Sequence, residues 1–361
     1  MTLKLLEFIK NNSNWESLLK EKPYALAISR LDDFILFKYN QIDSDPRNEI
    51  VKESRGIIFH EPTWTPVCVP FFRFYNVQEE YADKIDWESA KVLSKIDGSL
   101  TKFWFFDNKW HLSTNGTIDA FQCTLQSNIL CPYTTFGELF LAGAKVNSID
   151  EFAKKYFLDK TKTYMFELVS PFNRIVVPYS EPDIYHIGTR DNISLLEEDI
   201  DLGIQKPKQY NFNSLDDCIA ASKDLPFSEE GYVVVDKNFF RNKIKSIAYI
   251  LCHRLRGESF SNKRAFELFM SGEHLEFLSY FPEYLEYFNK IQYQYDKIFE
   301  YFNTKQKELD NTIFLTQKEF ALHIKNFSFS SYFFMKRSGK INSIYEYIKK
   351  IPIDSFLTFT Y

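Results

Sequence analysis

The hydrophobic period of this chain changes once, near residue 250, and no fold built on a single period can absorb both halves. Upstream, from about Asp33 to Ile250, short β-branched and aromatic runs alternate with turn residues. Phe34–Tyr39, Gly56–His60, Thr101–Phe106, Trp110–Ser113, Tyr164–Val169, Ile184–Gly188, Tyr232–Asp236 and Ile244–Ile247 read as strands. Helical patterns at Ala120–Ile129, Thr135–Ala144, Ile149–Phe157 and Leu215–Ser222 interrupt them. Downstream, Tyr284, Phe288, Ile291, Tyr295, Ile298 and Phe302 recur every three or four positions, the spacing of one helix face. Ala265–Met270, Gln317–Ile324 and Ile341–Ile351 also read as helical. Pro282 suits a helix start, and Gly272 and Gly339 suit helix ends. The expected fold class is α+β: an antiparallel-rich domain over residues 1–252, then an all-helical domain over 253–361.

Composition narrows the partners. The net charge of −5 excludes a polycation, so contact with nucleic acid would need a local basic groove. Phe and Tyr are abundant (37 and 22), enough to fill a core and leave some rings for stacking on bases. Cys68, Cys123, Cys131, Cys218 and Cys252 are odd in number and scattered, which argues against a disulfide framework or a cysteine zinc site. Reduced thiols in a cytoplasmic protein are expected. The Leu3-to-Ile9 stretch is broken by Lys4 and Glu7 and reads as an amphipathic helix rather than a secretory leader. No apolar run approaches membrane-spanning length.

Chemistry concentrates in a few strings. Lys95 precedes a turn-forming Asp-Gly in Lys95-Ile96-Asp97-Gly98-Ser99, the placement of a nucleophile beside a close ligand. Lysine attacks only as the free amine, so nearby cations or desolvation would have to favour that form. Lys243-Ile244-Lys245 supplies such cations, both on one strand face; an exposed edge strand explains the pair equally well. Arg55, in Glu53-Ser54-Arg55-Gly56, fits a phosphate fork or a surface turn. Glu167 alternates with apolar neighbours and could accept a ribose hydroxyl, or face solvent. Glu229-Glu230 stands ahead of an apolar strand, where a divalent metal would be held through water, as Mg2+ prefers; a polar turn is the plain alternative. Core packing suffices for Tyr185 and His186.

Each string is ordinary alone, but their order is not. Lysine nucleophile, strand glutamate, Glu-Gly before a strand, then Lys-x-Lys resembles the covalent nucleotidyltransferases, and within them the phage-type RNA ligase 1 family. Ser54–Gly56, Lys95–Ser99, Phe166–Val169, Ile187–Asp191, Glu229–Val233 and Lys243–Ser246 carry the likeness in sequence, with Phe71–Asn76 ahead of them. The resemblance spans most of residues 30–250 and implies an ATP-grasp-like nucleotidyltransferase domain followed by a helical RNA-specificity module.

It further implies covalent AMP on Lys95 and ATP contacts at Arg55, Glu167, Lys243, Lys245, Tyr39 and Arg73. Gly98 would let the backbone approach the nucleotide, and Glu230 takes the metal-linked position. Two positions depart from the pattern: Arg73 stands for a usual lysine, and Asn115 stands where the family often has one. The implied activity is ATP- and Mg2+-dependent (or Mn2+-dependent) joining of RNA 5′-phosphate and 3′-hydroxyl ends through lysyl-AMP. Single-stranded RNA or nicked tRNA is the expected partner, with no membrane and no oligomer. A ligase of another subfamily acting on nicked duplex, or an inactive RNA-binding module of the same fold, are the competing readings. Arg254, Arg256, Lys263, Arg264, Lys336, Arg337 and Lys340 are candidates for touching RNA phosphates, although plain solubility also explains them.

Overall fold

The computed structural model describes residues 2–125, 131–255, 262–280, 285–313 and 316–360, the side chains of 252–255 and 279–280 excepted. Residues 126–129 of one expected helix, Arg256, Pro282 and Tyr284, and the side chains of Cys252 and Arg254, therefore lie outside the described residues. The chain divides into two units, Met1–Arg256 and Gly257–Tyr361.

Fourteen strands run through the described residues of the first unit. In chain order they are β1 (Ala27–Leu31), β2 (Phe34–Lys38), β3 (Arg55–His60), β4 (Thr65–Cys68), β5 (Tyr75–Asn76), β6 (Lys91–Ser94) and β7 (Ser99–Phe106). Then follow β8 (Lys109–Thr114), β9 (Lys162–Val169), β10 (Asp183–Asp191), β11 (Glu197–Glu198), β12 (Gln209–Tyr210), β13 (Gly231–Val235) and β14 (Arg241–Lys245). They form three sheets, ordered β1-β2-β3-β4, β11-β10-β9-β7-β8 and β12-β6-β13-β14-β5. All pairings are antiparallel except β14 with β5.

The second sheet is central because both of its faces are covered. Alternation along β7 sends Phe103 to one face, where it packs with Phe140 and Phe152 of helices Phe136–Ala144 and Ile149–Lys155. Trp104 goes to the other face, against Leu36, Ile58 and Cys68 of the first sheet. Burial of each such ring stabilises the fold by about 1.5–3 kcal/mol. Local signals fix the element ends. Asp107 and Asn108 sit at φ 47° and 57° and close the β7–β8 hairpin, and Thr135 and Glu138 form a reciprocal cap on the helix they begin. Glu53 accepts from the backbone N–H groups of Lys4 and Leu5 (2.9 and 2.8 Å) and so anchors the N-terminal helix Lys4–Asn11. Between the second and third sheets, Glu197 binds Arg190 of β10 and Arg241 of β14, each at 2.7 Å. That clamp sets the strand carrying Lys243 and Lys245 against the central sheet.

Several expectations are corrected. The strand expected at Ile244–Ile247 is Arg241–Lys245; Ser246 Oγ accepts from Tyr249 N–H (3.1 Å) and starts helix Ile247–Leu255 instead. Among the described residues of the helix expected from Ala120, only Ala120–Gln122 is helical, as one 3₁₀ turn. Leu125 N–H donates to the Thr134 carbonyl and Phe136 N–H to the Cys123 carbonyl, so extended pairing claims that backbone. The strand through Ile184–Gly188 continues to Asp191 past an irregularity between His186 and Gly188. Strands β4, β5, β6, β11 and β12 escape the alternation reading because they are short, and β1 because it is an edge strand with no buried residue.

All described elements of the second unit are helices, the longest being Leu285–Asp310. Its buried stripe is Phe288, Ile291, Tyr295, Ile298 and Phe302, the face the spacing predicts. The helix expected over Ile341–Ile351 is shorter, Ile344–Ile348, because Ser343 caps it by accepting from Glu346 N–H. Among the described residues no helix is long and apolar enough to cross a membrane. Cys68, Cys123, Cys131 and Cys218 are free thiols.

Candidate active site

Three adjacent strands of the third sheet bring Lys95, Glu230 and Lys245 together. Lys95 directly follows β6, Glu230 directly precedes β13, and Lys245 ends β14 opposite Gly231. The Lys95 backbone N–H donates to the Gly231 carbonyl at 2.8 Å. Lys95 Nζ and Lys245 Nζ then share one oxygen, Glu230 Oε1, at 2.7 and 3.0 Å. Burial pushes the Glu230 carboxyl up, but the two ammonium groups and their hydrogen bonds outweigh it and hold the group below its ordinary value. The sequence reading surrounded Lys95 with cations alone. The structure instead places a carboxylate between the two lysines, because Glu230 leads into the strand that separates theirs.

Lys243 and Lys245 leave β14 on one face, as alternation requires, but meet different surroundings. Lys245 lies 5.2 Å from the Tyr249 ring and pairs with Glu230, whereas Lys243 acts on Tyr39. β14 is flanked by β13 and, at Asn242–Lys243, by β5, so the exposed-edge explanation of these lysines does not hold.

A second group is strongly cationic. Arg73 lies over the Tyr39 ring at 4.3 Å, and Arg55 lies over Phe71 at 4.4 Å and acts electrostatically on Tyr39. Burial pushes the Tyr39 phenol up, yet Arg55, Arg73, Lys243 and Lys38 together carry it below its ordinary value. Arg55 Nη1 and Arg73 Nη1 are buried with no hydrogen-bond partner among the described residues. Unfilled donors of this kind suit an anion. Lys38 was not singled out from sequence.

Glu167 sits on β9 opposite Leu100 and Tyr185. Its carboxyl is pushed up to about 7, foremost by burial, with Lys95 and Arg55 opposing and Glu230 adding to the rise. It is thus half-protonated near neutrality and can donate or accept a hydrogen bond. Gly98 also meets a requirement of the fold. A Cβ there would stand 2.4 Å from the Leu168 carbonyl oxygen, so its bareness lets the Lys95 loop lie against β9. Sequence reasoning also passed over Asp97 as a mere turn residue. It is buried, takes the Val176 and Val177 N–H groups at 2.9 and 2.8 Å, and accepts from the Tyr249 hydroxyl at 2.8 Å. His186 is buried beside Thr189 and pushed down to about 4 by burial, which leaves it a neutral core residue.

No group of three or more His, Cys, Asp or Glu suited to a metal occurs among the described residues. Glu230 Oε2 is nonetheless a buried carboxylate oxygen with no partner among them, which fits one protein ligand to a metal completed by other oxygens.

No family model matches the chain. It is 32% identical over 270 residues to the proposed bifunctional polynucleotide kinase/RNA ligase of Autographa californica nuclear polyhedrosis virus. That match covers 69% of this chain but only 38% of the relative, so the chain spans well under half of that protein. It is 24% identical over 416 residues to an RNA ligase of Rhodothermus phage RM378, covering 93% of this chain and 91% of that one. Among solved structures, an archaeal ATP-dependent RNA ligase aligns with a TM-score of 0.43 and 13% identity over 74% of this chain and 68% of that one. By sequence, this chain is thus similar to proteins named RNA ligases.

Proposed function

We propose that this protein is an ATP-dependent RNA ligase working through a lysyl-AMP intermediate. The observation that carries the reading is the meeting of Lys95 and Lys245 on one buried carboxylate oxygen, with Arg55, Arg73 and Lys243 gathered around Tyr39 in the same unit. Residues 1–252 would form the nucleotidyltransferase domain and 253–361 an RNA-specificity module, acting in the cytoplasm.

In the first step the Lys95 amine attacks the α-phosphorus of ATP. A P–N bond forms, the P–O bond to pyrophosphate breaks, and the amine releases its proton. Lys95 must first leave its ion pair with Glu230, which therefore marks a resting arrangement. Lys243 and Lys245 offset charge on the phosphates, and Arg55 and Arg73 grip them with fork-shaped donors. Glu167 meets a ribose hydroxyl. Mg2+ or Mn2+ held at Glu230 together with phosphate oxygens would add further charge compensation. AMP then passes to an RNA 5′-phosphate, giving a 5′–5′ anhydride, and an RNA 3′-hydroxyl displaces AMP to form the phosphodiester. Strand ends in single-stranded RNA or a nicked tRNA suit this sequence.

Incubation with α-labelled ATP and Mg2+ followed by a denaturing gel tests the reading. A covalent band is expected for the native chain and none for Lys95→Ala. A band that survives Lys95→Ala removes the nucleophile assignment, and no band from the native chain favours a non-catalytic RNA-binding role.

A further inference from the structure

Lys102 has no part in the chemistry above, yet its position is unusual for a lysine. It leaves β7 between Leu100 and Trp104 on the face covered by the first sheet, and none of it is exposed. Its Nζ donates to the Gly56 carbonyl, one residue beyond Arg55. Asn115 flanks the same glycine. A Cβ on Gly56 would stand 2.8 Å from Lys102 Nζ, 2.5 Å from the Asn115 backbone oxygen and 3.1 Å from Asn115 Oδ1. Lys38 Nζ comes within 3.2 Å of the Cβ that neighbouring Gly116 lacks.

Buried ammonium groups normally face a carboxylate. Among the described residues Lys102 has no ion-pair partner; the groups acting on it are the Cys68 thiol and two further cations, Lys38 and Arg55. Burial pushes Lys102 down to about 8, so near neutrality it keeps most of its charge. Next to it, the Arg55 Nη1 donor is buried without a partner among the described residues. A leucine or methionine would fill the space between the sheets without this penalty. An anion bound nearby would repay it.

We infer that Lys102 is a positioning residue for a polyphosphate: tied to Gly56, it fixes the irregular start of β3 that aims Arg55 and supplies positive charge beside Asn115, which brings none. The inference rests on the ligase reading only in taking ATP as the natural source of that polyphosphate. Lys102 does not touch the anion, since its own amine is enclosed; it acts through the bond that sets Arg55 and through the field of its charge. A purely structural tie between β3 and β7 predicts something else: lost stability with unchanged anion affinity in whatever folds.

The test uses the full chain and inorganic tripolyphosphate, with affinity read by calorimetry and folding by thermal melting. Lys102→Met removes charge and tie together; Lys102→Gln keeps a donor for the Gly56 carbonyl and removes only charge. Lys102→Gln should melt within a few degrees of the native chain and bind tripolyphosphate roughly tenfold more weakly, the scale of losing one nearby charge that makes no contact. Adding Asn115→Lys to Lys102→Gln should recover part of that loss. Native-like affinity in Lys102→Gln overturns the inference, even if Lys102→Met fails to fold, and so does a native chain that does not bind tripolyphosphate. Scoring AMP labelling in parallel separates the two readings. Binding that depends on Lys102 in a protein taking no label sinks the ligase reading alone, whereas a labelled protein indifferent to Lys102 sinks this one alone.

Discussion

Removing the Asp97 carboxylate should loosen the Lys95 loop, and the size of the effect can be worked from its bonds. Asp97 Oδ2 takes the N–H groups of Val176 and Val177, and Oδ1 takes the Tyr249 hydroxyl, all between 2.8 and 2.9 Å and all buried. Asp97→Ala strands two backbone donors where water does not reach. At about 1–3 kcal/mol for each stranded group, the loss should be roughly 3–5 kcal/mol, a large share of a typical folding free energy. Asp97→Asn is milder, about 1 kcal/mol, because its amide oxygen still serves both valines while the Tyr249 hydroxyl turns to accept from the amide. Tyr249→Phe should cost about 1.5 kcal/mol, the worth of one bond to a charged acceptor. The Asp97→Ala/Tyr249→Phe double variant should then fall short of the sum by a similar amount. Urea titration followed by tryptophan fluorescence reads this cleanly, since Trp15, Trp64, Trp87, Trp104 and Trp110 all belong to the first unit. An Asp97→Ala midpoint matching the native one, or an asparagine variant as damaged as the alanine, would refute the account of Asp97 as the loop's anchor.

What could be read without coordinates was whatever depended on near neighbours. The β7–β8 hairpin follows from alternation around Asp107-Asn108, and the helix begun by Thr135 from its cap spacing with Glu138. Alternation, however, says that two faces differ, not that one of them is wet. On β7 both phases are buried, since helices cover Phe103 and the first sheet covers Trp104. Lys102 is therefore enclosed, where alternation alone leaves room for a solvent-facing lysine. Strand order was equally hidden. Lys95 and Lys245 reach the same carboxylate only because β13 runs between β6 and β14, a pairing that no local string encodes. Asp97 shows the same limit: its turn-forming role is local, but its partners come from Val176, Val177 and Tyr249, far along the chain. Charge type and motif order could be read early, while the hydrogen-bond partner that fixes each charged group depends on topology.

Two further predictions concern backbone fit and charge. Gly56→Ala should destabilise the first unit by about 2 kcal/mol or more, because φ of 79° strains any other residue and the new methyl would meet the Asn115 oxygen at 2.5 Å; an unchanged urea midpoint would contradict it. Glu167→Gln should flatten the dependence of stability on pH. Burial foremost lifts the Glu167 carboxyl from 4.5 to about 7 in the folded chain. Between those values the folded form holds a proton that the unfolded form has released, so stability falls as pH rises through this window. The full drop amounts to at most about 3 kcal/mol. Glutamine mimics the protonated form at every pH and should be more stable than the native chain at pH 8 but not at pH 4.5, by about 1–3 kcal/mol. Glu53, also lifted to about 7, titrates in both proteins and cancels in the comparison. Urea midpoints measured from pH 4.5 to 8 decide the matter. Parallel curves for the two proteins would mean that the Glu167 charge is well solvated, and that its closeness to Lys95 and Arg55 reflects no penalty accepted for the sake of the site.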